Sequence, residues 1–330
     1  MQYLKLVIGL DVSKDSFVAR LGTLSSELIQ YISKAISFTN DIKGFKKLLS
    51  WIRKSSQDLK IPLDSEFIFV MEATGVYYEK LAYFLSEENK FVSVILPNKI
   101  KNYAKTLDNK SKTDDLDAAI ITQFGLEKTL NRWNIPSPTF RKLKELAREY
   151  HNIKKTTTAI KNQLHAKEYA HSPVKEIIKR LKEQLKLYNS QLKQIQTQIE
   201  ELIKQDDDLN SKIKKIQTIK GVGLMTVVSV LAETNGFALI KSKNQLTSYA
   251  GLDIVHKQSG KSEGRTSISK KGNKFIRKAV YMPALCACRW NKNLKEIYIK
   301  LTIRKNYKKI GIIAVARKLL ILIYTLWKNN

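Results

Sequence analysis

Cysteine is nearly absent. The 330 residues hold two, Cys286 and Cys288, in one C-x-C. Two cannot frame a disulfide scaffold, and no second Cys/His pair completes a zinc site. They read as buried thiols of a protein that works in a reducing cytoplasm. Acidic residues are scarce as well: 30 against 59 basic ones, for a formal charge of +29. Lys supplies 48 of the 59. Codon bias toward Ile, Asn and Lys would also raise Lys, but bias alone keeps Glu high, and the acids here stay low. Such a chain is drawn to polyanions. A secretory leader is missing from MQYLKLVIGLD. The apolar run IGIIAVARKLLILIYTLW is interrupted by Arg317 and Lys318. That argues against a membrane span and for a buried or subunit-facing helix.

At this length two or three domains can each bury a core, and three stretches differ in texture. Residues 1–132 alternate strand-like and helix-like segments. LVIGLDVS and SFVARLGT predict a hairpin, and ISFTN a third strand. Asn40 is expected to cap a helix over DIKGFKKLLSWIRK, whose Phe45, Leu48, Leu49 and Ile52 share one face. EFIFVMEA reads as a buried strand, Tyr77 to Glu88 as a helix and FVSVIL as a strand. A basic loop, PNKIKNYAKTLDNKSK, leads into a helix carrying DDLDAAIITQF. This order predicts an α/β unit, a mixed sheet with flanking helices.

Residues 133–215 are different. No Gly occurs between 140 and 217. Val174, Ile178, Leu181, Leu185, Tyr188, Leu192, Ile195, Ile199 and Leu202 step by four and three, a coiled-coil seam. A looser series, Phe140 to Leu164, precedes it. The two helices are expected to pair, as a hairpin or, the favoured reading, between subunits of a homo-oligomer, dimer or tetramer. Residues 216–330 read as a mainly helical third unit. IQTIKGVGLMTVVSVLAE is helix, glycine turn, helix, and resembles helix-hairpin-helix modules. Gly221 and Gly223 would let backbone amides approach a phosphate.

Four carboxylates stand out in this basic chain: Asp11, Glu72, Asp114 and Asp117. Asp11 ends the run LVIGLD and Glu72 ends EFIFVME, so both fall at strand ends. Asp114 and Asp117 are three apart, on one helix face, and Asp115 turns away. Hard Mg2+ takes oxygen ligands, and two such ions stabilise attacking and leaving oxygens in phosphodiester chemistry. Each acid also has a plain reading. Thr113 caps an ordinary acidic helix start, Asp11 is a turn acid, and Glu72 pairs with a Lys. The joint pattern favours a metal site. A second basic region spans 257–277, where Ser259, Ser262, Ser267 and Ser269 lie among Lys257, Lys261, Arg265, Lys270, Lys271, Lys274 and Arg277. With Lys112 of the first basic loop, these cations are candidate contacts to nucleic-acid phosphates. The serines are indistinguishable by sequence alone.

IGLDVSK, MEATGVYY and KTDDLDA resemble the RuvC-like catalytic domain of DEDD transposases of the insertion-sequence 110 family. IQTIKGVG, LTSYAGL and QSGK…SKKGNKFIRKAVYMPA resemble that family's C-terminal domain. The resemblance covers nearly the whole chain, in order, with the coiled coil between. It implies an RNase H-like fold and a Mg2+ site made by Asp11, Glu72, Asp114 and Asp117. It selects Ser259 as the nucleophile, and implies a noncoding bridge RNA that pairs with donor and target DNA. One departure is visible: Asp253-Ile254 follow AGL where family members usually carry a small residue and Pro. That should affect a turn rather than chemistry. Two other classes remain open. One is a resolvase-like metal nuclease using water as nucleophile, and the other is a non-enzymatic nucleic-acid binder. Loss of Ser259 leaves cleavage intact in the first, and loss of Asp11 changes nothing in the second.

Overall fold

The computed structural model describes residues 3–62, 64–107, 113–255, 258–259, 262–263, 267–305 and 307–329, without the side chains of 258, 259, 262, 263, 304 and 305. The chain divides into two compact units, Met1–Ile135 and Pro136–Asn330. Residues read as a middle stretch and residues read as a third domain thus share the second unit.

The first unit has β1 (Tyr3–Val12), β2 (Ser16–Ser25), β3 (Gln30–Ile32), β4 (Ile36–Thr39), α1 (Ile42–Asp58), β5 (Ile68–Glu72), α2 (Glu79–Glu87), β6 (Phe91–Ile95), α3 (Pro97–Ala104) and α4 (Asp114–Glu127). Its six-stranded mixed sheet runs β3-β2-β1-β5-β6, with β4 also paired to β2. β1 pairs antiparallel with β2 and parallel with β5, and β6 lies parallel to β5. Because β1 is central, Leu6 to Leu10 are buried throughout. Alternate residues serve opposite faces. Ile8 and Leu10 pack with Phe45, Leu48 and Ile52 of α1. Val7 and Val70 pack with Ile120, Ile121 and Phe124 of α4.

Two local details differ from the sequence reading. The cap of α1 is Asp41, whose carboxylate accepts from the Gly44 amide at 2.8 Å, because Asn40 is engaged elsewhere. The stretch read as a basic loop also contains α3, started by Pro97, whose fixed φ suits a first helical turn.

The second unit has α5 (Pro138–Glu168), α6 (Lys175–Lys204), α7 (Asp207–Gln217), α8 (Leu224–Thr234), α9 (Lys243–Tyr249), β7 (Ile254–Val255), β8 (Gln258–Ser259), β9 (Ser262–Glu263), β10 (Ser267–Ile268), α10 (Lys274–Trp290), α11 (Lys292–Lys305) and α12 (Lys308–Lys328). α5 and α6 pack along one another within the chain. Burial along the seam is graded: Leu192, Ile195, Ile199 and Ile203 are buried, while Ile178 to Tyr188 are at most half-buried. The buried part joins the core formed with α7, α8, α10 and α12. By length and composition α12 could cross a bilayer, so packing decides its role. Val315, Ala316, Leu319, Leu320 and Ile323 are buried in that core.

Candidate catalytic site

The period of two that buries Val7 carries Gly9 and Asp11 to the same face of β1, and Glu72 shares the face of Val70 on β5. That is the face α4 covers. The parallel register matches Leu10 with Met71, so Asp11 and Glu72 come next as neighbours at the ends of adjacent strands. A Cβ built on Gly9 would lie 2.1 Å from Thr122 Oγ1 and 2.6 Å from the Thr122 amide nitrogen. One built on Gly125 would meet Val7 at 2.6 Å. α4 therefore lies directly on β1 and runs against it, its first turn toward Asp11. Thr122 to Asp117 rises roughly 7 Å along the helix, and Gly9 to Asp11 roughly 7 Å along the strand. Asp117 is thus near the level of Asp11, with Asp114 one turn beyond on the stripe of Ala118 and Ile121.

Thr113 caps α4, its hydroxyl accepting from the Leu116 amide at 3.3 Å. Thr74 Oγ1 donates to Glu72 Oε1 at 3.1 Å. Asp115 takes another direction, accepting from Arg20 Nε at 3.0 Å. Asn40 ties the two strand ends together: its Nδ2 donates to the carbonyls of Ser13 at 2.9 Å and Tyr77 at 3.1 Å, the segments just after Asp11 and Glu72. The donor set, carboxylates without nitrogen or sulfur, suits a hard cation. Among the described residues, no three His, Cys, Asp or Glu side chains are gathered closely enough to hold a metal ion. Backbone topology brings the four acids to one face, and their side chains are not drawn in around one point.

The serine region is not a plain loop. β7 pairs antiparallel with β10, and Ser259 of β8 pairs with Ser262 of β9. Between α9 and α10 the described residues thus form two separate two-stranded pairings, β7–β10 and β8–β9, on an arm that carries Ser259. Arg277 Nη1 holds its base, donating to the carbonyls of Ala250 at 2.7 Å and Gly272 at 3.0 Å. Gly251 has φ +67°, and a Cβ there would stand 2.7 Å from Arg277 Nη1. Ser269 Oγ donates to Asp253 Oδ1, and the Ser269 amide donates to the Asp253 carbonyl at 2.9 Å. Asp253, the departure noted in the sequence, thus closes the arm's base. Lys270, Lys271 and Lys274 are exposed. Lys112, Lys257, Lys261 and Arg265 lie outside the described residues, as does His256, the histidine nearest Ser259 in sequence. In the turn before α8, Gly221 has φ +93° and Gly223 is the cap residue, with nothing within 4 Å of a Cβ built on it.

Sequence reasoning missed a buried polar hub in the second unit. Glu233 is 4% exposed on α8, where every residue from Val227 to Thr234 is buried. Its Oε1 accepts from Arg148 Nε at 2.7 Å, and its Oε2 from Arg148 Nη2 at 3.0 Å and Asn273 Nδ2 at 2.6 Å. The Tyr249 hydroxyl donates to the Glu233 carbonyl at 3.0 Å. Burial pushes the Glu233 carboxyl up, but Arg148 and Asn273 outweigh it and hold it below its ordinary value. His151 lies 3.1 Å from Ser229 Oγ, which itself donates to the Met225 carbonyl. The serine hydrogen is thereby committed, so this pair is structural rather than nucleophilic. Burial and then Lys278 lower the His151 pKa. The available signal was one carboxylate closing the largely apolar run VVSVLAE.

Residues 8–167 match a family model described as transposase, and residues 213–299 match one described as transposase of the IS116/IS110/IS902 family. The chain is 30% identical over 336 residues to the pilin gene-inverting protein of Moraxella bovis, covering 99% of this chain and 97% of that one. The same protein of Moraxella lacunata matches to the same extent. The transposase for insertion sequence element IS1111A of Coxiella burnetii is 30% identical over 112 residues, 33% of this chain and 31% of that one. Among solved structures, T. thermophilus RuvC in complex with a Holliday junction substrate matches at 13% identity and a TM-score of 0.25, over 39% of this chain and 99% of that one. A likeness that low says nothing of how this chain acts.

Proposed function

Because this chain belongs to the IS116/IS110/IS902 family of transposases, we propose that it moves an insertion sequence by cutting and rejoining DNA with a serine nucleophile and a Mg2+-binding acidic site. The observation that carries the reading is the shared face of Asp11, Glu72 and the first turn of α4, set by strand register and the Gly9–Thr122 contact. The sheet supports an RNase H-like identity for the first unit, with three antiparallel strands continued by two parallel ones and a helix across β1.

In this reading Asp11, Glu72, Asp114 and Asp117 supply oxygen ligands. Bound Mg2+ would offset charge at the reacting phosphate. Ser259 Oγ attacks phosphorus: the new bond is serine O–P, the bond broken joins phosphorus to a DNA sugar oxygen, and that oxygen leaves as a hydroxyl. The serine proton passes to a base. The phosphoserine diester keeps the bond energy, so a second DNA hydroxyl can reverse the step and join a new partner. Exposed Lys270, Lys271 and Lys274, with Lys112, Lys257, Lys261, Arg265 and Arg277, would hold phosphates. The turn at Gly221 and Gly223 would contact backbone in the manner of a helix-hairpin-helix. A bridge RNA is the partner proposed to read donor and target by base pairing, leaving the protein to hold backbones, a division known for guided nucleases. The half-buried stretch of α6 from Ile178 to Tyr188 supports a coiled-coil contact between copies of the chain, and the setting proposed is the cytoplasm.

The test is a recombination reaction stopped in denaturant. DNA should remain covalently bound to protein, and Ser259→Ala should abolish the adduct. An adduct formed at unchanged yield by Ser259→Ala sinks the serine. Cleavage without any adduct, surviving that change, favours water as nucleophile.

A further inference from the structure

We propose that Glu233 is the positioning residue of the serine arm: through Asn273 it fixes where the arm leaves the helical core. This rests on the reading of Ser259 as nucleophile. A carboxylate inside an apolar helix costs folding free energy, and an apolar residue of equal volume would fill the space at least as well. What an apolar residue cannot do is join α5 to the root of α10, as the Glu233 carboxylate does through Arg148 and Asn273.

Asn273 is the residue by which the hub reaches the arm. Its amide donates to the Tyr249 carbonyl at 2.7 Å, just before the arm begins. Its Oδ1 caps α10, accepting from Phe275 N at 2.9 Å and Ile276 N at 3.2 Å. Its Nδ2 is committed to Glu233 at 2.6 Å. One residue thus meets both ends of the arm: its backbone reaches Tyr249, and its side chain ties the root of α10 to a buried anion. Beyond it, Arg277 bridges Ala250 and Gly272, Ser269 bridges to Asp253, and β7 pairs with β10. Freedom at Asn273 would loosen the β7–β10 base from which the segment carrying Ser259 departs, and small displacements of a nucleophile cost large factors in rate.

Asn273→Ser separates the positioning role from mere stability, because serine keeps a cap oxygen and loses the donor to Glu233. In the full chain, amide exchange at Ile254, Ser267 and Ile268 should rise about tenfold or more, while Val228 to Leu231 keep their protection. The single-turnover rate of adduct formation should fall about tenfold or more at unchanged DNA affinity. The exchanged pair Glu233→Gln with Asn273→Asp rebuilds the 233–273 link with donor and acceptor reversed, giving up the Arg148 Nη2 bond and keeping the Arg148 Nε bond. It should bring both readouts back to within about threefold of the starting protein. Arm exchange and adduct rate within about twofold of wild type in Asn273→Ser overturn the proposal. So does a loss of protection throughout the second unit that the exchanged pair does not restore. If the unaltered protein forms no adduct, the serine reading fails, and the exchange measurement still decides the hub.

Discussion

Glu72 and Glu233 are the same side chain put to opposite uses. Glu72 ends a strand, is partly exposed, and meets the Thr74 hydroxyl but no cation among the described residues. Glu233 sits in the middle of a core, and both its oxygens are taken by Arg148 and Asn273. Glu72 lies on a face shaped by backbone contact, in a chain with 59 basic residues that could have neutralised it. The second unit consumes Glu233 internally, in bonds to Arg148 of α5 and Asn273 at the root of α10. A carboxylate left without a cation in so basic a protein is available to a ligand, and one fully satisfied by protein is architecture.

That contrast predicts opposite responses to truncation. Glu233→Ala should cost the second unit about 2–3 kcal/mol, below the usual figure for a broken buried pair because Arg148 keeps 40% of its side chain exposed and can rehydrate. Glu72→Ala should change the first unit's stability by no more than about 0.5 kcal/mol. The slowest-exchanging amides of α8 and of β1 read the two units separately. Equal losses in both would erase the distinction. A smaller effect concerns pH. All four histidines lie in the second unit. His151 is held below its ordinary 6.5, so the unfolded chain takes up that proton first. Stability is complete above about pH 6.5 and declines as pH falls through the folded value, with Glu233 adding its own loss below about 4.5. The first unit should stay flat from pH 6.5 to 5. Following exchange in each unit across that range checks the difference, and His151→Gln should remove the upper part of the decline.

The first unit was the more legible of the two. Long apolar runs ending in Asp11 and Glu72 marked strands and their ends, and Thr113 marked the start of α4. Each of those signals is local. The miss at Asn40 was one residue: both Asn40 and Asp41 can cap, and contacts to Ser13 and Tyr77 decide which does. The hub was illegible because residues 148, 233, 249 and 273 meet only through tertiary packing. The arm was hidden because its strands are two residues each, too short to show alternation. The seam was visible, but heptads do not tell how deeply each stretch is buried.

The central claim is that the acids of the first unit form one cation site. Titrating Mn2+ into the full chain, followed by the loss of its free paramagnetic signal, tests that without any DNA. Asp11→Asn and Glu72→Gln should each weaken binding about tenfold or more, and Glu233→Gln should leave it unchanged. Equal Mn2+ binding by all four proteins would contradict the claim.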